Sequence, residues 1–219
     1  MYEFRIQLSL TCSSPPSVGD GGSHGTLADK TVVRNSRGRF VIPASQVRGK
    51  LRHACEQLLR AQGGWICEAP NAKEMCAEST GKAACISCQI FGSPGYASKV
   101  FFHGLVASQR DLPSETLRPM VSINRYRRTA ENQRLFLVET APNLKGLSFE
   151  ATDAITGYLQ TPAHLHVILA ALKMLYAWGG GSSRGLGWGT LDAKTWLNGA
   201  EMQLDMEEVK GICQSSHSK

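Results

Sequence analysis

From Tyr2 to Leu10 the chain alternates, with Phe4, Ile6, Leu8 and Leu10 on one side and Arg5, Gln7 and Ser9 on the other, the period of a half-buried strand. A Gly/Ser/Pro-rich loop follows from Ser13 to Gly25. Thr31-Val32-Val33 then reads as a short strand ahead of an Arg37-Gly38 turn. After Ile42-Pro43-Ala44-Ser45 the spacing becomes helical, placing Val47, Leu51, Ala54/Cys55 and Leu58 on one face and Arg48, Arg52 and Arg60 on the other. Val100 to Ala107 and Arg134 to Thr140 are expected strands, and Leu147 to Ala151 is a further candidate. Thr161-Pro162 supplies a cap and first turn for a second helix with Leu165, Leu169, Leu172 and Leu175/Tyr176 at helical spacing. Gly179-Gly180-Gly181 stops it, and Trp188 to Trp196 gives a last strand. Strand, helix, two strands, helix, strand is the ferredoxin-like order shared with RNA recognition motifs, so the expected class is α+β with that core.

At 219 residues and 42% hydrophobic content, the chain suits a single core. The expected organisation is one domain over 1–198, with insertions at 63–98 and 112–134 and a polar, loosely held tail at 199–219. The net charge of +6 favours a polyanionic partner without identifying one. Glu3 and Arg5 within the first apolar segment exclude a signal peptide or membrane span there, so the whole chain is expected in the cytosol with no membrane partner. Seven cysteines, an odd number, with four between Cys67 and Cys88, suit a reducing compartment and a metal site better than a disulfide framework.

Those four follow the spacing Cys67-x8-Cys76-x8-Cys85-x2-Cys88 and offer enough thiolates to close a tetrahedral site. Glu74, Glu78, Ser79 and Gly81 around them give free thiols no apolar core to pack in, which favours structural zinc in the 63–98 insertion. With four sulfurs no coordination position stays open, so such a metal holds a loop and performs no catalysis.

The segment Gly179-Gly-Gly-Ser-Ser-Arg184-Gly-Leu-Gly-Trp-Gly189 has two readings. It is a helix cap with a tight return turn, or its glycines admit an anion that Ser182, Ser183 and Arg184 bind. It lacks a Gly-Lys-Ser/Thr ending and lies between a helix and a strand, the reverse of a nucleotide-binding loop. Arg118, Arg125, Arg127, Arg128 and Arg134 surround Tyr126 with one acid, Glu131, among them. This is either a solvated charged hairpin or a surface that neutralises phosphates and stacks on bases. His164 and His166 fall on opposite sides of their helix, which points to structural roles, and no Gly-x-Ser-x-Gly or His-Glu-x-x-His pattern supports a hydrolase of those kinds.

Taken together, these segments resemble the RAMP superfamily, in particular the repeated backbone subunit of type III CRISPR effector complexes. The resemblance runs through Val18-Gly19-Asp20-Gly21-Gly22, Leu27 to Arg34, Ile42 to Arg52, Cys88-Gln-Ile-Phe-Gly92, Ile123-Asn124-Arg125 to Leu135-Phe136, and the glycine segment. It implies that Ser45, Gln46, Arg48, Lys50 and Arg52, with Gly181, Ser182, Ser183 and Arg184, grip a guide RNA backbone. Ile123 to Phe136, with Arg125, Arg127 and Arg128, looks like the family's thumb, which wedges between guide–target segments. Asp29 matches its catalytic aspartate, which promotes divalent-ion-dependent attack, by Mg2+ or another ion, of the target's own 2′-hydroxyl. The implied partners are guide RNA, target RNA, other RAMP subunits and a large signature subunit.

Ser17 stands where the family often has histidine, and Asn124 where its thumb usually begins with Asp. Arg127 and Arg128 replace small residues, and a four-cysteine insertion occurs only in some members. Three rival readings remain: a non-catalytic guide-binding scaffold, a guide-processing endoribonuclease using His24, and a zinc-stabilised small-molecule enzyme.

Overall fold

The computed structural model describes residues 1–19, 28–68, 71, 74–76, 84–207 and 209. Asp20, Gly21, Gly22, Leu27 and the alternative base His24 therefore lie outside the described residues.

The alternation at the start of the chain forms β1 (Tyr2–Cys12), the centre of a seven-stranded sheet. Phe4, Ile6, Leu8 and Leu10 are at most 2% exposed, so one face of β1 is core. The other strands of the sheet are β2 (Val41–Ile42), β3 (Val100–Phe102), β4 (Leu105–Ala107), β7 (Ser148–Leu159), β8 (Gly189–Leu197) and β9 (Ala200–Met202). β1 runs antiparallel to β7 on one side and β8 on the other, and β3 and β4 pair with the far edge of β7. Between them, α1 (Ala44–Ala61) and α3 (Ala163–Lys173) pack on each other and on the apolar side of the sheet. The result is a two-layer α+β architecture with an antiparallel sheet.

α1 forms where the helical apolar spacing began, and it buries Val47, Leu51, Ala54, Cys55 and Leu59. Residues 164–172 of α3 are all buried, so this helix is apolar on nearly every side and needs cover all round. It ends at Lys173, earlier than the glycine triplet suggested, and Tyr176 leaves the expected core face to become 60% exposed.

Three sequence expectations are corrected. Arg134 to Thr140 does not enter the main sheet. It lies within β6 (Thr129–Thr140), which pairs only with β5 (Thr116–Asn124) in a separate two-stranded sheet, and Ser148–Leu159 takes the place beside β1. Thr31-Val32-Val33 makes no strand: Val32 bridges Gly19 in isolation, and the Val32 N–H is taken by the Glu139 carboxylate at 2.9 Å. Val100 to Ala107 is broken at His103-Gly104, where a Cβ on Gly104 would lie 2.9 Å from the Ile42 carbonyl oxygen. The expected tail also starts with a paired strand, β9, against β8. No described helix is long and apolar enough to cross a membrane.

Candidate nucleic-acid interface and metal centre

The β5–β6 hairpin is joined to the body at its base. Lys30 bridges Val138, the Glu139 N–H donates to Lys30 O at 2.9 Å, and Ser17 Oγ donates to Glu139 O at 2.9 Å. Asp29 is drawn into the same joint. Its N–H donates to Leu137 O at 3.0 Å and its Oδ2 accepts the Leu137 N–H at 2.8 Å, while the side chain stays exposed. The pleat of the hairpin then turns Met120, Phe136 and Val138 toward one side. That side faces the glycine segment across an open cleft of about 410 Å³, whose walls also include Asp29, Lys30, Gly180, Gly181 and Arg184.

The glycine segment is a stem closed by a short 3₁₀ turn, Ser182–Arg184, with left-handed Gly181 and Gly185 on either side. Two of its glycines are there for packing. A Cβ on Gly187 would sit 1.8 Å from Trp178 O, and one on Gly179 would sit 2.4 Å from Ser17 O. The N–H groups of Gly180, Arg184, Gly185, Leu186 and Gly187 are all spent on protein carbonyls. The turn's side chains are open to an anion: Ser183 and Arg184 are exposed, and Ser182 is half-buried. The return-turn half of the first reading describes this backbone, but α3 ends at Lys173, so the segment does not cap that helix.

At the hairpin tip Arg125, Tyr126, Arg127 and Arg128 are exposed, Tyr126 at 96%. Asn124 shapes the turn that displays them. Its Oδ1 accepts the N–H groups of Tyr126 and Arg127, each at 2.9 Å, and its Nδ2 donates to Glu131 Oε1 at 2.5 Å. Arg134 is exposed and Arg118 half-buried on the strands behind.

The α1 residues stand apart, because none of Ser45, Gln46, Arg48, Lys50 or Arg52 lines the cleft. Ser45 is exposed, Gln46 and Lys50 are half-buried, and burial lowers the pKa of the Lys50 ammonium. Arg48 Nη2 donates to Phe91 O at 2.5 Å; Arg52 donates to Glu56 Oε1 at 2.9 Å and to Gly92 O at 3.2 Å. Ser87 Oγ reaches the same Glu56 oxygen at 2.9 Å. These contacts fasten α2 (Ile86–Phe91), the helix that carries Cys88, to α1. Glu56 was not singled out in the sequence, where it reads as one more solvated acid.

The four cysteines converge. The Sγ atoms of Cys67, Cys76, Cys85 and Cys88 all lie within 4.8 Å of one another, and all four residues are buried. Cys67 and Cys88 are 3.5 Å apart and Cys67 and Cys85 3.7 Å, against about 3.8 Å between thiolates 2.3 Å from one tetrahedral ion. The set fits a metal ion such as zinc. Ile66, Ile90 and Phe91 belong to the same buried cluster, so the expectation that these thiols have no apolar core to pack in is corrected; Glu78, Ser79 and Gly81, on which it drew, lie outside the described residues. Burial pushes the Cys85 thiol up to about 11 and, with the charge of Cys85, pushes Cys88 up as well. Burial acts the same way on Cys67, but hydrogen bonds from the Cys76 backbone and the neighbouring thiols outweigh it and lower that thiol. Without a cation the cluster resists carrying several negative charges, and a bound divalent ion supplies the missing counter-charge.

An antiparallel α+β protein that sets a basic hairpin and a Ser/Arg-bearing turn around one open cleft is equipped to hold a polyanion. The chain belongs to the RAMP superfamily, whose family profile matches residues 9–190. Membership points to a CRISPR-associated RNA-binding subunit. No curated protein matches the chain.

Proposed function

We propose that the chain is a backbone subunit of a type III CRISPR effector complex that binds guide RNA and cleaves the paired target RNA. The observation that carries this reading is the convergence of Asp29, Arg184 and the base of the arginine hairpin on one cleft. The strand order, with β1 between β7 and β8, supports a ferredoxin-like core of the RNA-recognition-motif kind. Arg184, the α1 residues Ser45, Gln46, Arg48, Lys50 and Arg52, and the hairpin arginines 125, 127 and 128 supply charge and donors for phosphates. Zinc on the four cysteines fixes α2 and the insertion.

In the cleavage step the 2′-oxygen attacks the adjacent phosphorus, the bond from phosphorus to the 5′-oxygen breaks, and a cyclic phosphate and a 5′-hydroxyl result. Asp29 presents a carboxylate at the cleft wall that orients the hydroxyl. A hydrated Mg2+ ion, when bound, would supply charge for the phosphate, and a hard oxygen ligand suits it. Neighbouring RAMP subunits, a large signature subunit and a cytoplasmic setting belong to the same reading.

The test is an assembled guide complex given target RNA with Mg2+. Cleavage that disappears with a deoxyribose at the cut position supports the mechanism, and cleavage that persists there refutes it. A second reading, a non-catalytic scaffold, is favoured by the Asp29 Oδ2 hydrogen bond to Leu137, a structural use for the carboxylate. No cleavage by the unmutated complex would select it.

A further inference from the structure

Tyr176 and Trp188 meet at the stem of the glycine turn. Ala177 bridges Trp188, the Trp178 N–H donates to Gly187 O at 2.8 Å, and the Gly189 N–H donates to Tyr176 O at 3.0 Å. This pairing brings the two rings to 5.1 Å between centroids with a 38° tilt. One hydrogen bond then holds the indole and two hold its backbone. Trp188 Nε1 donates to Ser182 O at 2.9 Å, the Trp188 N–H donates to Ser14 Oγ at 2.9 Å, and Trp188 O accepts the Ser13 N–H at 2.8 Å.

Trp188 is nevertheless 43% exposed and Tyr176 60%, while Trp178 beside them is completely buried. The fold had an interior place for one tryptophan of this stem and left the other two rings outside. Apart from Met174, the exposed neighbours in the chain are polar, small or basic: Lys173, Gly180, Ser183, Arg184 and Thr190. That setting lacks the continuous apolar footprint of a protein-docking patch. It suits a ligand with one flat aromatic face and an attached anion. Ser182, which accepts the indole N–H, adjoins Gly181, and Gly181 and Arg184 line the cleft. The aromatic pair and the cleft thus share the turn as a common wall.

We propose that Tyr176 and Trp188 form a stacking site for an unpaired base of RNA, with the phosphate of that nucleotide beside Ser183 and Arg184. The proposal rests on the reading that this chain binds RNA. An indole already fixed by a hydrogen bond to Ser182 O, with a tyrosine ring packed against it, loses little freedom when a base settles on it, and any base can stack, so the site adds affinity without sequence preference. It also sets the path of the strand, since a base held at the stem leads its backbone over the turn toward Asp29.

The experiment compares a short unstructured RNA with an abasic oligomer of the same backbone and length, each titrated into the full chain. Tyr176→Ala and Trp188→Ala are each expected to lower affinity for the base-bearing RNA about five-fold or more while leaving the abasic oligomer unaffected. Tyr176→Phe and Trp188→Phe should retain most of the affinity. In the unmutated chain, photo-crosslinking of 5-iodouridine RNA followed by mass spectrometry should label Tyr176 or Trp188, a readout independent of how the variants fold. Equal losses on both oligomers, or crosslinks only elsewhere, would overturn the stacking site. Lost self-association with unchanged RNA affinity would also overturn it, by assigning the pair to a protein contact. An unmutated chain that binds neither oligomer removes the RNA-binding reading itself.

Discussion

Asp29 and Leu137 hold each other twice, through the Asp29 N–H to Leu137 O at 3.0 Å and the Leu137 N–H to Asp29 Oδ2 at 2.8 Å. One carboxylate oxygen is thereby committed to the hairpin base. The other accepts no hydrogen bond from the described residues and is the one available to a substrate or hydrated ion. In the proposed cleavage reaction, position and chemistry would thus be carried by different atoms of the same group.

Asp29→Asn separates the two roles, since the amide oxygen can still accept from Leu137 but the charge is gone. In the assembled complex, both Asp29→Asn and Asp29→Ala should lose target cleavage while binding guide and target normally, because a single acid beside phosphates adds nothing to affinity. Only Asp29→Ala should also lower stability, by about 1 kcal/mol. Wild-type cleavage by Asp29→Asn would mean that the carboxylate is structural.

The thiolate cluster predicts about one zinc per chain by elemental analysis. Cys85→Ser/Cys88→Ser should lose the metal and lower the thermal midpoint, and a chelator should do the same to the unmutated protein. Because Arg48 and Arg52 donate to Phe91 O and Gly92 O at the end of α2, metal loss should also weaken RNA binding through a loosened α1–α2 junction. A metal-free protein with an unchanged midpoint would rule out this role for the cysteines.

Elements with a strict local period were legible in the sequence. The two-residue alternation of β1 buries the side chains that its period marks, and the helical spacing of α1 buries Val47, Leu51, Ala54 and Cys55, with Leu59 in place of the expected Leu58. Partner choice was not. Arg134 to Thr140 carries the apolar run Leu135 to Val138 expected of a buried strand, but Phe136 and Val138 face a cleft. Ser148–Leu159 hides its role behind a register shift in its pairing with β1 between Ile6 and Leu8, and behind Gly157, where a Cβ would lie 2.0 Å from Lys99 O. Thr31-Val32-Val33 has strand composition, yet the partner of its central N–H is a carboxylate from β6 that no local pattern announces. The cysteine spacing foretold their convergence, since ligand number and type are local facts. That Asp29 and Arg184 share a cleft depends on tertiary packing, and the residue types alone could only suggest it.

Arg184 at the cleft wall and Arg125, Arg127 and Arg128 at the hairpin tip should each contribute to RNA affinity through phosphate contacts. Alanine at any of them should weaken binding about equally for unrelated sequences and flatten the dependence of log affinity on log salt by about 0.7 per contact. Binding isotherms at several salt concentrations measure this. Losses confined to one RNA sequence, or an unchanged slope, would place these arginines away from the backbone.

His164 gives the fold an acid-side weakness. It is 6% exposed in α3, and burial lowers its pKa from the ordinary value of 6.5. The imidazole is then neutral in the folded chain over a range of pH where the unfolded chain protonates it. In that range the unfolded state binds more protons, so stability rises with pH. The contribution is complete above about pH 6.5 and is lost as pH falls toward the lowered folded value, with a slope of at most about 1.4 kcal/mol per pH unit. His164→Leu removes the group while keeping an apolar side chain of similar size in the helix. Urea midpoints measured at pH 7.5 and 5.5 should therefore differ more in the unmutated protein than in His164→Leu, and carboxylates that titrate in both cancel in the comparison. Identical pH slopes for the two proteins would show that the buried imidazole is not what limits stability in acid.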